Sequence, residues 1–390
     1  ELTLKQYAYT DGVGCVDALV DALSNWTKHI DQKDNLCIQS AFVDFSKAFD
    51  MMNPRILDTK LSRLNVNSSL RQLINSFLTS RSACVANKPT GECSSKLPVS
   101  RGVPQGTILG PSLWSIYIND LPDIINESSP SSDTTIYADD VTTYQPVRKK
   151  DVTLKTTAPK SRLMSNSPLQ PALSAIHRWS LSNDMSLNTS KTKTMNISPC
   201  LDISSDLKLT VNSEFIDQVS EFKLLGVTVD EHLSFSSHVE NIFSKARSRL
   251  YALLTLKRHG VDEASLTKFY LANIRSILCY AAPAWFSYLS DTNMKRLESI
   301  QRQCLRVIYP DIPYDERLVL ASIPSLCDYL NNSCQNFVNN VASDTEHRLH
   351  KYLPKRQSSV GRHSSRLRDV PIVHNNYKIT ENSLFSKFTV

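Results

Sequence analysis

Ile136-Tyr137-Ala138-Asp139-Asp140-Val141 is the stretch on which the reading of this chain turns. Two adjacent carboxylates are flanked by β-branched and aromatic residues, which predicts two short strands with a turn between them. A hairpin tip of this kind holds neighbouring carboxylates at solvent, where they can grip a divalent metal. By itself the pair is a weak signal. At average composition an Asp-Asp arises about once or twice in a chain of this length, and a solvated turn is the plain alternative. The stronger reading needs partners elsewhere.

The first partner is Asp44, which closes the apolar run Ala41-Phe42-Val43. That pattern predicts a buried strand delivering a carboxylate at its end. Asp44 suits an N-cap for the following helix equally well, and one residue can do both. Phosphoryl transfer to a hydroxyl uses two metal ions about 4 Å apart, one activating the attacking oxygen and one steadying the leaving group. Mg²⁺ takes carboxylates and keeps several waters. Such chemistry needs two or three Asp converging from separate strands. Asp44 and Asp139 form the natural pair, with Asp140 as support or third ligand.

Outward from these residues the chain divides by pattern. Val16, Leu19, Val20, Leu23 and Trp26 give a helix over 14–30. Asn53-Pro54 reads as an N-cap and first helical proline, followed by Leu57, Leu61 and Leu64 on one face. Leu70, Leu73, Ile74, Phe77 and Leu78 predict a second stripe, and 83–100 a hairpin broken by Pro89-Thr90-Gly91. Gly102, Pro104, Gly106, Gly110 and Pro111 mark a loop running into a helix carrying Leu113, Ile116 and Tyr117. Residues 146–168, rich in Ser, Thr and Lys, read as a loop or insertion before a helix with Leu169, Leu173, Ile176 and Trp179. Three short β-type runs follow between 207 and 229, the last being Phe222 to Val227. Beyond residue 232 the pattern is all-helical, and from about 346 a basic, loosely ordered tail is expected.

The totals set outer limits. A length of 390 residues allows roughly two or three domains. A hydrophobic share of 41% supports a core, and a net charge of +6 permits a polyanionic partner without requiring one. Nine scattered cysteines with no C-x-x-C point to reduced thiols in an intracellular protein, nuclear or cytoplasmic and not secreted, and argue against a zinc site. No apolar run reaches membrane-spanning length, so no membrane partner is expected. The chain begins at Glu1 without Met, which suggests a fragment or excised domain.

Several stretches together resemble the ordered motifs of reverse transcriptases. Ala41 to Asp50 resembles motif A, Arg101 to Leu113 motif B, and Tyr137-Ala138-Asp139-Asp140 motif C. Leu187-Asn188-Thr189-Ser190-Lys191-Thr192 is similar to motif D and Leu224-Leu225-Gly226 to motif E. Order and spacing both match, over roughly residues 5–310. The likeness is greatest to non-LTR retrotransposons of the jockey-like kind, whose thumb region resembles Arg275 to Tyr280 and Ile300 to Arg306.

The resemblance implies an α+β fold. Residues 1–232 would form a right-hand polymerase palm with partial fingers, 233–345 an all-helical thumb or connection domain, and 346–390 the basic tail. It further implies that Asp44 and Asp139 hold two Mg²⁺ ions (or Mn²⁺ in their place), with Asp140 beside them and the Phe45 carbonyl completing one shell. Phe49 would reject a ribose 2′-OH by clash, although core packing on a helix explains it as simply. Gln105 with Gly102 and Gly106 would lie under the incoming nucleotide and template base, Lys191 near the triphosphate, with Lys193 competing for that role. Tyr137 would pack near the primer end, and Leu225-Gly226 would grip its backbone. The partners implied are an RNA template, a DNA primer or target, and deoxynucleoside triphosphates. Lys257, Arg258, Lys268, Arg275, Lys295, Arg296, Arg302 and Arg306 are available for phosphates. No clear equivalent of the family's upstream basic clamp precedes Leu4-Lys5-Gln6-Tyr7. Two readings follow: a catalytic polymerase domain, or an inactive relic that binds nucleic acid only.

Overall fold

The computed structural model describes residues 2–148, 151, 167–198, 207–354 and 382–388. They fall into two compact units. The first comprises Glu1–Gly14, Asp34–Asn196 and Ile203–Val219; the second comprises Cys15–Lys33, Ile197–Asp202 and Ser220–Val390. The partition is therefore not a single cut near residue 232. The helix α1 (Cys15–Ile30) groups with the helical part because Ala18, Leu19, Leu23 and Trp26 are buried there.

The first unit is built on strand β1 (Asn35–Val43), buried from Cys37 to Val43. Helices α2 (Ala48–Met51), α3 (Pro54–Arg63) and α4 (Ser68–Thr79) follow, then the strand pair β2 (Arg81–Ala83) and β3 (Leu97–Val99). After them come α5 (Leu109–Ile118), α6 (Leu121–Ser128), β4 (Asp133–Tyr137), β5 (Asp140–Arg148) and α7 (Gln170–Ser182). The unit closes with β6 (Lys193–Ile197), β7 (Thr210–Val211), β8 (Glu214–Phe215) and β9 (Asp217–Gln218). The main sheet runs β4-β5-β1-β6-β9. Strand β5 is antiparallel to both β4 and β1, with Val43 paired to Val141 at the end that matters below.

Helices bury one core against this sheet, including Val43, Phe45, Met52, Leu57, Leu61, Trp114, Tyr117, Leu173 and Trp179. Asn53 caps α3 as the sequence predicts, its side chain accepting the Arg55 N–H at 2.9 Å. Behind the sheet, the almost fully buried Lys60 ammonium donates to the Tyr117 carbonyl (2.6 Å) and to Asp120 (2.7 Å), and lies 5.0 Å from the Tyr117 and Trp179 ring centroids. Burial lowers its pKa, and Asp120 opposes that shift. A charge so placed is satisfied on every side, which is what burial demands of it.

The stripe over residues 70–78 forms helix α4 as expected, with Ile74 and Leu78 buried and Leu70 and Leu73 49% and 66% exposed. Two expectations change. Strand β5 continues to Arg148, so the loop expected from 146 starts later; residues 149–150 and 152–166 lie outside the described set. Phe222 to Val227 is no single strand. It is the tip of a hairpin, β10 (Glu221–Leu224) and β11 (Val227–Asp230), turning at Leu225-Gly226 with φ of 45° and 89°. Two successive positive φ values are what a two-residue hairpin turn needs, and Gly226 takes the larger.

The rest of the second unit is helical. It contains α8 (Ser236–Arg258), α9 (Glu263–Tyr270), a π-helical turn (Leu271–Arg275), α10 (Ser276–Cys279), α11 (Ala282–Trp285), α12 (Asp291–Ile308), α13 (Tyr314–Ala321) and α14 (Leu326–Ser343). The expected basic tail falls largely on residues 355–381, outside the described set. What is described at its two ends is anchored. Lys351 pairs with the buried Asp21 at 2.9 Å and the Tyr352 hydroxyl donates to Asp21 at 2.7 Å, while a short helix, Leu384–Phe388, buries Leu384, Phe385 and Phe388. No helix among the described residues is long and apolar enough to cross a membrane.

His238 gives this unit a pH dependence. It is 1% exposed, its Nδ1 accepts the Thr228 N–H at 3.3 Å, and its ring meets Trp285 at 5.1 Å. Burial, helped by Lys245, pulls its pKa from 6.5 down to about 4. The unfolded chain therefore binds the proton first as pH falls. The stability this imidazole supports is full above about 6.5 and drains away towards about 4. The urea midpoint should fall over that interval, and His238→Gln should flatten the fall. Equal slopes for the two proteins would remove His238 as its cause.

Candidate active site

Three carboxylates meet at one end of the main sheet. Asp44 follows Val43 at the end of β1, and Val43 pairs with Val141, so the ladder sets Asp44 beside the start of β5 where Asp140 stands. Asp139 lies in the two-residue turn between Tyr137 and Asp140, which are themselves paired. The charges act on one another. Asp139 has its pKa raised by desolvation and then by Asp44. Asp140 is raised to about 6, by desolvation first and then by Asp139 and Asp44. Negative charge is thus crowded before any substrate arrives.

A carboxylate whose pKa is raised on folding destabilises the fold as pH rises from its ordinary value towards the shifted one. Here that interval runs from 3.8 to about 6 for Asp140. A divalent cation would reverse the penalty. Among the described residues no group of three or more His, Cys, Asp and Glu is arranged to hold a metal ion by itself. Mg²⁺ at phosphoryl-transfer sites is bound through one or two carboxylates, substrate phosphates and water and not by an all-protein cage. The donor set fits such an ion.

The turn carrying Asp139 is pinned from below. Ala138 has φ 57°, in the left-handed region. Its carbonyl accepts the Trp114 indole N–H at 2.8 Å and the Gln6 amide at 3.2 Å, and its own N–H donates to Gln6 Oε1 at 3.0 Å. Sequence reasoning passed over Gln6. Nothing local singles it out: it is one amide between Lys5 and Tyr7 in a stretch that mixes polar and apolar residues.

The Gly102 loop wraps the short helix α2. Gly102 N–H donates to the Met52 carbonyl (2.8 Å) and Val103 N–H to Phe49 (2.9 Å). The Arg81 guanidinium closes it from outside, donating to the carbonyls of Leu78, Arg101 and Gly102 at 2.8, 2.9 and 2.6 Å. Gly102 has φ 74°, and a Cβ there would stand 2.6 Å from the Asp50 carbonyl oxygen, so no side chain is accommodated. Gly106, φ 79°, has open space around it. Gln105 is exposed, its amide 3.3 Å from Asp50 Oδ1. Phe49 is partly buried, its ring centroid 5.2 Å from that of Trp114.

The residues around Lys191 are tied to the end of β1. Phe45, 3% exposed, bridges Leu187; Ser46 N–H donates to Ser186 (2.8 Å) and Asn188 N–H to the Asp44 carbonyl (2.9 Å). Of the two competing lysines, Lys193 is committed to Asp217 and the Ser190 carbonyl, both at 2.7 Å. Lys191 is exposed and makes no ion pair among the described residues. Tyr137 is half-buried and ends β4 next to the turn. Leu225 and Gly226 belong to the second unit, where the Tyr280 hydroxyl donates to the Leu225 carbonyl at 2.8 Å. Of the basic residues expected on its helices, Lys257 pairs with Glu263, Arg296 with Glu240, and Arg275 and Arg302 stack on Tyr329 and Tyr314. Arg258, Lys268, Lys295 and Arg306 are exposed.

Residues 1–229 match the family described as reverse transcriptase (RNA-dependent DNA polymerase). A relative named RNA-directed DNA polymerase from mobile element jockey, in Drosophila melanogaster, is 27% identical over 309 residues, covering 76% of this chain and 31% of the relative. Its namesake in Drosophila funebris is 28% identical over 279 residues, covering 69% and 28%. The chain thus spans under a third of the length of these relatives. Among solved structures, apo telomerase from Candida tropicalis aligns over 89% of this chain and 57% of that one, at 13% identity and a TM-score of 0.39.

Proposed function

The chain belongs to the reverse transcriptase (RNA-dependent DNA polymerase) family, and from that premise we propose that its Asp44, Asp139 and Asp140 cluster extends a primer 3′-OH with deoxynucleotides on an RNA template. The observation that carries the proposal is the convergence of these carboxylates, distant in sequence, through the β1–β5 ladder. Two divalent ions, Mg²⁺ or Mn²⁺, supply Lewis acidity to the attacking and leaving oxygens when bound. Asp44 and Asp139 would hold them, with Asp140 and the Phe45 carbonyl beside them. The primer 3′-oxygen attacks the α-phosphorus in line and gives its proton to water, while the bond from the α-phosphorus to the oxygen bridging the α- and β-phosphates breaks and pyrophosphate departs. Lys191 neutralises charge on the departing phosphates or donates a proton to them.

Gln105, Gly102 and Gly106 lie under the incoming nucleotide and template base; Gly106, with open space around it, lets backbone approach closely, while Gly102 packs on the Asp50 backbone. Tyr137 packs near the primer end, and Leu225-Gly226 grips its backbone. On this reading the first unit holds the palm with part of the fingers, and the helices after about residue 232 serve as the thumb or connection. The partners are RNA template, DNA primer or target and deoxynucleoside triphosphates, in an intracellular setting. Template sequence is carried by base pairing, so the protein needs only to recognise duplex shape and phosphates. Among the described residues, the exposed Arg258, Lys268, Lys295 and Arg306 suit that task.

The test is primer extension on an RNA template with Mg²⁺. Absence of deoxynucleotide incorporation with either Mg²⁺ or Mn²⁺ would overturn the proposal. Phe49 gives a second measurement. If its ring rejects a 2′-OH by clash, Phe49→Ala should raise the kcat/KM for a ribonucleotide relative to its deoxy counterpart by about 10–100-fold, the range one steric group commands in a pocket. An unchanged ratio would leave Phe49 as packing on Trp114 alone.

A further inference from the structure

We propose that Gln6 is the positioning residue of the catalytic turn: its side-chain amide clamps the Ala138 backbone and thereby aims Asp139 and Asp140 at the metal ions. The inference rests on the reading of the carboxylate cluster given above. It starts from the backbone. Ala138 occupies φ 57°, a left-handed conformation that strains a residue with a Cβ. Such strain persists only where surrounding contacts over-determine it.

Gln6 supplies those contacts. Its Oε1 accepts the Ala138 N–H at 3.0 Å and the Ala8 N–H at 2.9 Å, and its Nε2 donates to the Ala138 carbonyl at 3.2 Å. One amide thus holds both polar groups of the residue immediately before Asp139, a two-point match that needs a donor and an acceptor on the same short side chain. The clamp is rigid because its base is rigid. Gln6 is 3% exposed, and its flanking peptides continue the sheet: Ile136 N–H donates to the Lys5 carbonyl and Tyr7 N–H to the Ile136 carbonyl, both at 2.9 Å. The Lys5 ammonium pairs with Asp133, the first residue of β4. The segment is therefore fastened to β4 at its start and, through Gln6, at the turn beyond its end.

The chemistry gives that rigidity a use. Two carboxylates that repel each other drift apart unless the backbone between them is fixed, and metal-assisted transfer loses rate when ligands are displaced by about 1 Å. Trp114 holds the same carbonyl at 2.8 Å from one point only, whereas Gln6 holds both the carbonyl and the N–H. The same segment carries Tyr9, whose phenol feels the charge of Asp139, so the strap lies close to the reacting centre.

The test uses the whole chain with Gln6→Met, which keeps length and volume but neither hydrogen-bonding group. Three quantities are read: kcat and KM in primer extension, affinity for Mn²⁺ alone by electron paramagnetic resonance, and Tm. Positioning predicts a kcat at least tenfold lower, a nucleotide KM changed less than twofold, and Mn²⁺ affinity several-fold weaker. Adding Ala138→Gly to Gln6→Met relieves the backbone strain without restoring the clamp. The double variant should therefore regain Tm while kcat and Mn²⁺ affinity stay low. Wild-type kcat and Mn²⁺ affinity in either folded variant would overturn the proposal, as would recovery of both on adding Ala138→Gly. Failure of both variants to fold would also overturn it, because Gln6 would then serve the fold and not the aim of the carboxylates. Should the unmodified chain bind Mn²⁺ but extend no primer, the polymerase reading fails while the Mn²⁺ comparison still decides the role of Gln6.

Discussion

Asp139→Ala is expected to lower primer extension by at least about 10³-fold, since the metal-borne stabilisation it helps hold is worth several kcal/mol and each 1.36 kcal/mol is tenfold in rate. The loss should come without unfolding. Asp139 is partly exposed in a turn whose backbone is held by Gln6 and Trp114, and none of those bonds uses its carboxylate. Its charge is in fact unwelcome without a cation, being raised in pKa by desolvation and by Asp44. Removing it should leave Tm unchanged or slightly higher. Activity lost with stability kept would mark a catalytic carboxylate; incorporation equal to that of the unmodified chain would remove Asp139 from the reaction. Incorporation of labelled deoxynucleotide on an RNA template, with a thermal melt alongside, measures both.

Gly102→Ala should be the most damaging single methyl in the first unit. The φ of 74° costs about 1–2 kcal/mol for a residue with a Cβ. The new carbon would stand 2.6 Å from the Asp50 carbonyl oxygen and 2.7 Å from its Cα, both backbone atoms that no rotamer change can move. Overpacking of that kind typically adds about 1–3 kcal/mol. Together these amount to about 2–5 kcal/mol, which for a unit of this size lowers Tm by roughly 5–15 °C. Gly106→Ala is the control. It shares the positive φ of 79° but meets no atom within 4 Å, so it should incur only the conformational part. Equal losses at the two positions would show that the Asp50 contact is not what excludes a side chain from Gly102.

The parts of this molecule that announce themselves in sequence are those written locally. The alternation around Asp139-Asp140, the apolar run into Asp44 and the Asn53-Pro54 cap each follow from neighbours a few residues away, and the structure forms all three. Other features depend on partners far along the chain and leave no periodic trace. Gln6 reaches Ala138, Lys60 reaches Tyr117 and Asp120, and Arg81 reaches the Arg101 and Gly102 carbonyls. A buried lysine reads as a surface charge until its aromatic and carboxylate neighbours are in place. The misreading of Phe222 to Val227 as one strand has a simpler origin. Its hydrophobicity is strand-like throughout, and only the positive φ at Leu225 and Gly226 shows the reversal. Exposed Leu70 and Leu73 show the opposite limit, since a helical stripe states which residues share a face but not whether anything covers it.

Because the separation of Asp44 from Asp139 and Asp140 is fixed by the hydrogen-bonded pairing of β1 with β5, it is indifferent to how much polypeptide connects them. The intervening arm around β2 and β3 is exposed along most of its length, so a change in its length would leave the β1–β5 pairing in place. A chain built this way can vary its outer surface while its carboxylate cluster stays still.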